Sequence, residues 1–176
     1  MKLELAVDGD RTPWRPDAET QDVLKRMLTA WGPSDGILEV VLTDDQTIRE
    51  LNRRYRQKDR ATDVLSFSYL EGHEDSREDL LRADRSARDF SSDELEGEVL
   101  VGQVLISAET MRGRDVRLDH TMEEEFRFLV VHGMLHTLGY DHASEEEAEE
   151  MERAQETILS SHGSPDGGEA KGGASK

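Results

Sequence analysis

Residues 126–138, FRFLVVHGMLHTL, are apolar on nearly every side of a helix, and no other stretch constrains the fold of this chain as much. Thr121 supplies a cap for that helix, and Glu123, Glu124 and Glu125 fall in its first turn, where carboxylates suit the helix dipole. Gly139 lets the backbone leave it. A helix that is apolar all round is buried, so the remaining elements must enclose it. The chain has 176 residues, a length that suits one domain. Hydrophobic and charged residues each make up 35%, enough for one modest core if part of the charge lies in segments that do not pack.

Residues 3–7 alternate apolar and charged, the pattern of a half-exposed strand. After Pro13 and Pro16 a helix fits 17–31, with Val23, Leu24, Met27, Leu28 and Trp31 on one core-facing stripe, and Gly32-Pro33 stops it. A β-rich run at 37–42 is followed by Thr43-Asp44-Asp45, an N-cap cluster for a helix to about 55 that turns Ile48, Leu51 and Asn52 inwards. Residues 64–69 predict another strand. Residues 98–107, EVLVGQVLIS, predict the strongest one, buried on both faces. Ser107 caps a helix to about 114, and Ser144 caps a final helix to about 160. Strands and helices do not alternate strictly. That predicts an α+β fold, a small mixed sheet packed with helices around the buried central one.

Residues 71–96 hold ten acids against four Arg, a net −6, and read as an exposed acidic loop inserted between two strands. Residues 161–176 hold five Gly and no large apolar residue, and read as a disordered tail. The predicted organisation is one domain over 1–160, carrying the insertion at 71–96, followed by the tail. The whole chain sets 40 Asp and Glu against 22 Lys and Arg, a formal charge of −18. Such a balance opposes general, electrostatically driven binding to nucleic acid. Residues 143–156, with seven Glu and one Arg, add a further −6, so most of the acidity lies off the predicted core.

The chain has no Cys, so it has no disulfide, no thiolate metal site and no cysteine nucleophile; any metal must be held by His, Asp or Glu. Its N-terminus lacks the apolar stretch of a signal peptide. The longest uninterrupted apolar run, 128–131, is far short of the ~20 residues that span a bilayer. The expectation is a soluble, cytoplasmic protein with no membrane partner.

The central helix also carries the chemistry. His132 and His136 are four apart, so both imidazoles leave one face a turn apart, as two helical ligands of one metal must. Past Gly139, His142 can swing back and supply a third nitrogen. A lone His on an apolar helix is usually a core or surface histidine. Three of the chain's six within 11 residues, on its most buried helix, point instead to a shared metal. Three neutral imidazoles leave the fourth position of a tetrahedral Zn²⁺ open, the mark of a catalytic site. Zinc lowers the pKa of a bound water to about 7. Zinc proteases of the His-Glu-x-x-His type carry a general base just after the first His; here that position is Gly133.

The run HGMLHTLGYDH at 132–142 resembles the His-Gly-x-Leu-His-x-x-Gly-Tyr-Asp-His signature of the YbeY family, bacterial ribosomal-RNA maturation factors and metal-dependent endoribonucleases. Residues 51–67, from Leu51 through Tyr55-Arg56 to Thr62-Asp63-Val64-Leu65-Ser66-Phe67, are similar to the family's Tyr-Arg-x-x-Asp and Thr-Asp-Val-Leu-Ser-Phe segment. Residues 102–110, GQVLISAET, resemble its Gly-Asp-Ile-x-Ile-Ser strand. The three blocks keep the family's order and span about 37–159. The resemblance implies a small α+β fold with one Zn²⁺ on His132, His136 and His142. It also implies action on single-stranded RNA, including the 3′ end of small-subunit ribosomal RNA, a role in ribosome quality control, and the ribosome or its proteins as partners; DNA is not an expected substrate. By the same match Arg56 becomes the functional Arg of the cleft, with His136 beside it as the catalytic pair. From spacing alone, Arg53, Arg54, Arg56 and Arg60 would be a solvated helix end; planar guanidinium suits phosphate.

The chain departs from the family pattern at Gln103, where the family has Asp, at Ser68, where it usually has Pro, and in the length of the 71–96 insertion. Asp141 reads equally as an orienter of a ligand His or as a turn cap. His120 reads as a helix-start residue, and His73 and His162 carry no role. Two rival functions follow from the same residues: a zinc peptidase or amidase, and a ribosome-assembly factor whose metal is mainly structural.

Overall fold

The computed structural model of the chain describes residues 1–9, 11–12, 14–70, 99–118 and 120–161. Among them are four strands, β1 (Lys2–Val7), β2 (Gly36–Thr43), β3 (Val64–Ser68) and β4 (Val99–Ser107). There are five helices, α1 (Ala18–Trp31), α2 (Asp45–Arg56), α3 (Ala108–Leu118), α4 (Met122–Thr137) and α5 (Glu145–Ser161). The strands form one sheet in the order β1-β2-β4-β3; β1, β2 and β4 run parallel, and β3 pairs antiparallel with β4. A small mixed sheet packed with helices is an α+β fold, as the sequence predicts.

Alternation along β2 and β4 assigns the two faces of the sheet. Leu38, Val40 and Leu42 of β2, with Val104 and Ile106 of β4, point into the main core beside Leu24, Met27 and Leu28 of α1, Phe126, Leu129 and Met134 of α4, and Met151 and Ile158 of α5. The opposite face takes α2, whose Ile48 packs against Leu65, Phe67 and Leu105, with Tyr55 edge-on to Phe67 at 5.3 Å between ring centroids. β4 is buried from Val101 to Ser107, because helices cover both of its faces. The helix apolar all round is α4, lying against β3 and β4 on one side and α5 on another.

Four of the helices start on caps the sequence reading places or adjoins, and Asp17, read as the first helical residue, is itself the cap of α1. Asp17 accepts from Thr20 N at 2.7 Å to start α1, and Asp44 accepts from Thr47 N at 2.8 Å to start α2. Thr121 and Glu124 form a reciprocal capping box on α4, and Ser144 and Glu147 exchange the same pair of bonds on α5. Ser107 accepts from Thr110 N at 3.1 Å at the start of α3.

Several expectations need correction. Trp31 is 40% exposed although it falls on the same stripe as Leu24 and Leu28. It is the last residue of α1, so its angle on the helix is right but it lies past the buried stretch. Leu51 is only partly buried, whereas Ile48 and Asn52 are buried. α3 runs on to Leu118 rather than stopping near 114. Ser161 closes α5 instead of opening a tail, donating its hydroxyl to Ile158 O at 2.9 Å. The predicted insertion at 71–96 and the rest of the predicted tail lie outside the described residues.

Candidate metal centre and active site

α4 ends where the site begins. His132 and His136 stand one turn apart on its half-buried flank, their rings 4.8 Å apart at the centroids. Leu138 caps the helix and Gly139 follows at φ +97°, in the left-handed region that glycine enters at little cost. The chain then folds back: Gly139 N donates to His136 O, and Tyr140 N donates to Leu135 O, each at 3.1 Å. That turn brings His142 to 4.8 Å from His136 and 5.3 Å from His132, centroid to centroid.

Three ring nitrogens, one from each His, lie within 4.8 Å of one another. The outer nitrogens say which ones can bind. Tyr140 O lies 2.9 Å from His136 Nδ1, and Gln155 Oε1 lies 3.0 Å from His132 Nδ1. A carbonyl oxygen only accepts, so each Nδ1 carries the proton and donates it. Each Nε2 is left with its lone pair facing the shared space, the arrangement a ligating histidine needs. Four tetrahedral nitrogens on zinc at 2.0–2.1 Å stand about 3.3 Å apart. Exposed His142, on its loop, is the member with room to close the difference. The triad fits a single metal ion.

Burial, reinforced by the neighbouring imidazoles, holds His132 and His136 below the ordinary histidine range. Both are therefore neutral at physiological pH, as ligands must be. Phe128, one turn before His132, stacks nearly parallel to its ring at 6.1 Å and walls that side.

Gly133 is a close approach of α4 to the sheet. A Cβ built there would lie 2.5 Å and 2.8 Å from the two Val104 methyls and 2.9 Å from Ser66 Oγ. The position that carries the general base in His-Glu-x-x-His peptidases thus faces the sheet and has no room for a side chain.

Arg56 is brought to the same place from the other side of the sheet. It ends α2, and Gln57 turns the chain at φ 57°. Its Nη2 donates to Ser66 O at 3.0 Å, and its charge adds to the influences that keep His136 neutral. The neighbouring arginines behave differently. Arg49 is forked onto Asp59 at 2.7 and 3.1 Å, and Arg54 lies over the Tyr55 ring at 5.2 Å. Arg56 is hydrogen-bonded to a neutral carbonyl instead.

The residues in doubt are placed as follows. Asp141 Oδ1 accepts from His142 N at 2.8 Å, which makes it a turn cap. His120 lies 3.7 Å from Glu125 at the start of α4, about 18 Å of helix away from His132. Gln103 pairs in register with Phe67, so its side chain is on the α2 face, away from the triad, where it donates to buried Glu39 at 2.7 Å. Ser68 Oγ donates to Thr137 O at 2.8 Å, tying β3 to the end of α4. His73 and His162 lie outside the described residues. The sequence reading missed Gln155. Its signal was a polar residue on the buried stripe Met151, Gln155, Ile158 of α5.

Residues 13–163 match the family described as Endoribonuclease YbeY. Among curated relatives, the Endoribonuclease YbeY of Oceanobacillus iheyensis is 37% identical over 147 residues, 81% of this chain and 87% of that one. That of Paramagnetospirillum magneticum is 36% identical over 173 residues, 94% and 96%. A solution structure from Thermotoga maritima, 22% identical, covers 98% of this chain and 99% of its own, with a TM-score of 0.49. Among the described residues, no helix is long and apolar enough to cross a membrane.

Proposed function

The chain belongs to the YbeY endoribonuclease family, and from that premise we propose that it is a zinc-dependent, single-strand-specific endoribonuclease of ribosomal-RNA maturation. Its substrate in this reading is the 3′ end of small-subunit ribosomal RNA, its setting the cytoplasm, and its wider role ribosome quality control with the ribosome or its proteins as partners. The catalytic unit is one domain over 1–160, with the acidic insertion at 71–96 and the tail as appendages. The observation that carries the reading is the convergence of three histidines, two of them already donating through Nδ1, beside an arginine that, among the described residues, is bonded to a neutral carbonyl rather than to an acid.

His132, His136 and His142 are the residues that would hold the ion, the first two leaving Nε2 free because Nδ1 is engaged. When bound, the ion supplies a Lewis acid that draws charge from a phosphoryl oxygen and acidifies water. Arg56 presents a planar guanidinium to the phosphate and offsets the charge that grows on it in the transition state. Tyr140 O and Gln155 hold two of the imidazoles in one tautomer, so their lone pairs stay aimed at the ion. Gly133 leaves α4 without a base beside the first His, which weakens the peptidase reading.

The test is cleavage of a labelled single-stranded RNA by wild type, Arg56→Ala and Arg56→Lys, at two salt concentrations, with zinc measured in the same samples. Arg56→Ala is expected to lose at least about 100-fold in rate with zinc content unchanged. Arg56→Lys recovers only part, because an ammonium cannot reproduce the guanidinium fork. Equal rates for wild type and Arg56→Ala would remove Arg56 from the site. Zinc removal that unfolds the protein, with no RNA cleaved by the loaded form, would favour the assembly-factor reading.

A further inference from the structure

Gln155 is a buried polar residue on a helix whose other buried positions, Met151 and Ile158, are apolar. Its Oε1 lies 3.0 Å from His132 Nδ1 and links α5 to α4 across 23 residues of sequence. A buried carboxamide that served packing alone would be replaced without loss by an apolar group of its size. Here it faces the imidazole that must expose Nε2. If Gln155 presented its NH₂ instead, His132 would have to accept through Nδ1 and protonate Nε2, which would close the ring to a metal. The carbonyl orientation is the one compatible with ligation.

The two half-buried ligands are thus held alike, His132 by a side-chain carbonyl and His136 by the Tyr140 backbone carbonyl. The backbone contact comes with the turn at Gly139 and survives any change of side chain at 140. The Gln155 contact depends on one side chain of the right length, on a helix that α4 does not position by itself. We infer that Gln155 is the positioning residue of the metal centre: it fixes the tautomer and ring orientation of His132, so metal affinity depends on the docking of α5. This rests on the three-histidine metal centre proposed above.

The experiment measures zinc affinity of the full chain by competition with a chromogenic chelator. The visible spectrum of the cobalt-loaded protein and the melting temperature of the metal-free protein are recorded on the same preparations. Gln155→Met keeps volume and loses the acceptor. Gln155→Asn keeps a carboxamide one methylene too short to reach Nδ1. Gln155→Glu keeps both length and acceptor. Removing such an outer partner typically weakens metal binding about 10–100-fold. That loss is expected for Gln155→Met and Gln155→Asn, with an altered cobalt spectrum, while Gln155→Glu binds as tightly as wild type or more so. A purely structural residue would lower the melting temperature without moving the cobalt spectrum, and would not be rescued by Glu. Wild-type affinity in folded Gln155→Asn, or Gln155→Glu binding no better than Asn, overturns the inference; should Gln155→Met fail to fold, this second pair still decides it. Failure of wild type itself to bind one metal ion would instead remove the metal centre on which the inference rests.

Discussion

Gly133→Ala is the substitution for which packing and helix propensity pull in opposite directions. In an open helix, Ala in place of Gly stabilises by about 0.8–1.0 kcal/mol. At position 133 the new methyl would sit 2.5 Å from Val104 Cγ1, 2.8 Å from Cγ2 and 2.9 Å from Ser66 Oγ. Carbon atoms pack best at about 3.5–4.0 Å, so something must move by about 1 Å. Val104 is fully buried, its branched side chain is stiff about χ1, and β4 is held by β2 on one side and β3 on the other. The movement therefore falls on α4. Overpacking of this kind costs about 1–3 kcal/mol, which outweighs the propensity gain and leaves a net loss of about 1 kcal/mol.

A loss of that size lowers the melting temperature by about 2–4 °C for a chain of this length. The larger effect is at the metal. His132 precedes Gly133 directly, so a shift of about 1 Å in α4 pulls His132 and His136 away from Gln155 and the His142 loop, and zinc affinity is expected to fall by at least about 10-fold. The assay is thermal melting of the metal-free protein together with chelator competition, on Gly133→Ala alone and on a Val104→Ala background. Removing the Val104 methyls removes the two nearest atoms, and Ser66 Oγ can rotate away. On that background Gly133→Ala should therefore become neutral or stabilising. A single Gly133→Ala variant that melts at or above wild type and binds zinc equally well would refute the close-approach reasoning.

Two further outcomes follow from the triad. His132→Ala, His136→Ala and His142→Ala should each weaken zinc binding by more than about 100-fold, since a three-ligand site has no spare donor; stoichiometric zinc retained by His136→Ala in metal analysis would contradict this. The metal-free protein should lose stability as pH falls through the ordinary histidine value of about 6.5. Burial holds His132 and His136 below that value in the folded chain, so the unfolded chain binds more protons as soon as it titrates. The stabilisation is complete above that pH and is lost below it until the folded histidines also protonate. Melting curves from about pH 8 to about pH 5, compared with His132→Gln/His136→Gln, check it; an equal fall in the double variant would exclude the two histidines as the cause.

What could be read from the sequence was whatever local chemistry fixes. Asp44, Thr121 and Ser144 cap the helices because a short side-chain acceptor is all an N-terminus needs. The His132, His136 and His142 grouping was readable because the helix turn and the break at Gly139 are both local. The strand order was not. Nothing within 98–107 says that this segment lies between β2 and β3, since that depends on pairings made far along the chain. Trp31 misled for a related reason, because helical periodicity gives an angle but not where the buried stretch ends. Gln103 could not be placed either. Only the register with Phe67 puts it on the α2 face with Glu39, so the family's carboxylate position lies away from the triad here.

β3 accounts for how distant segments make one site. Its Ser66 offers a backbone carbonyl to Arg56 and a side chain against Gly133, and its Ser68 donates to Thr137 O across 69 residues of sequence. The C-terminal ends of α2 and α4 therefore meet at one short strand. Both ends concentrate partial negative charge, and both favour cations nearby: Arg53, Arg54 and Arg56 lie in the last turn of α2, and the end of α4 carries His136 of the triad that could hold a metal ion. A chain of net charge −18 can keep a local cationic spot in this way. Arg49 is ion-paired with Asp59, whereas Arg56 is bonded to the neutral carbonyl of Ser66, which suits the phosphate-facing role proposed above. The same bond fixes where that charge points. Moving β3 would displace the guanidinium and the three-histidine group together, so in the function proposed above the arginine and the histidines keep a constant relation to the substrate phosphate.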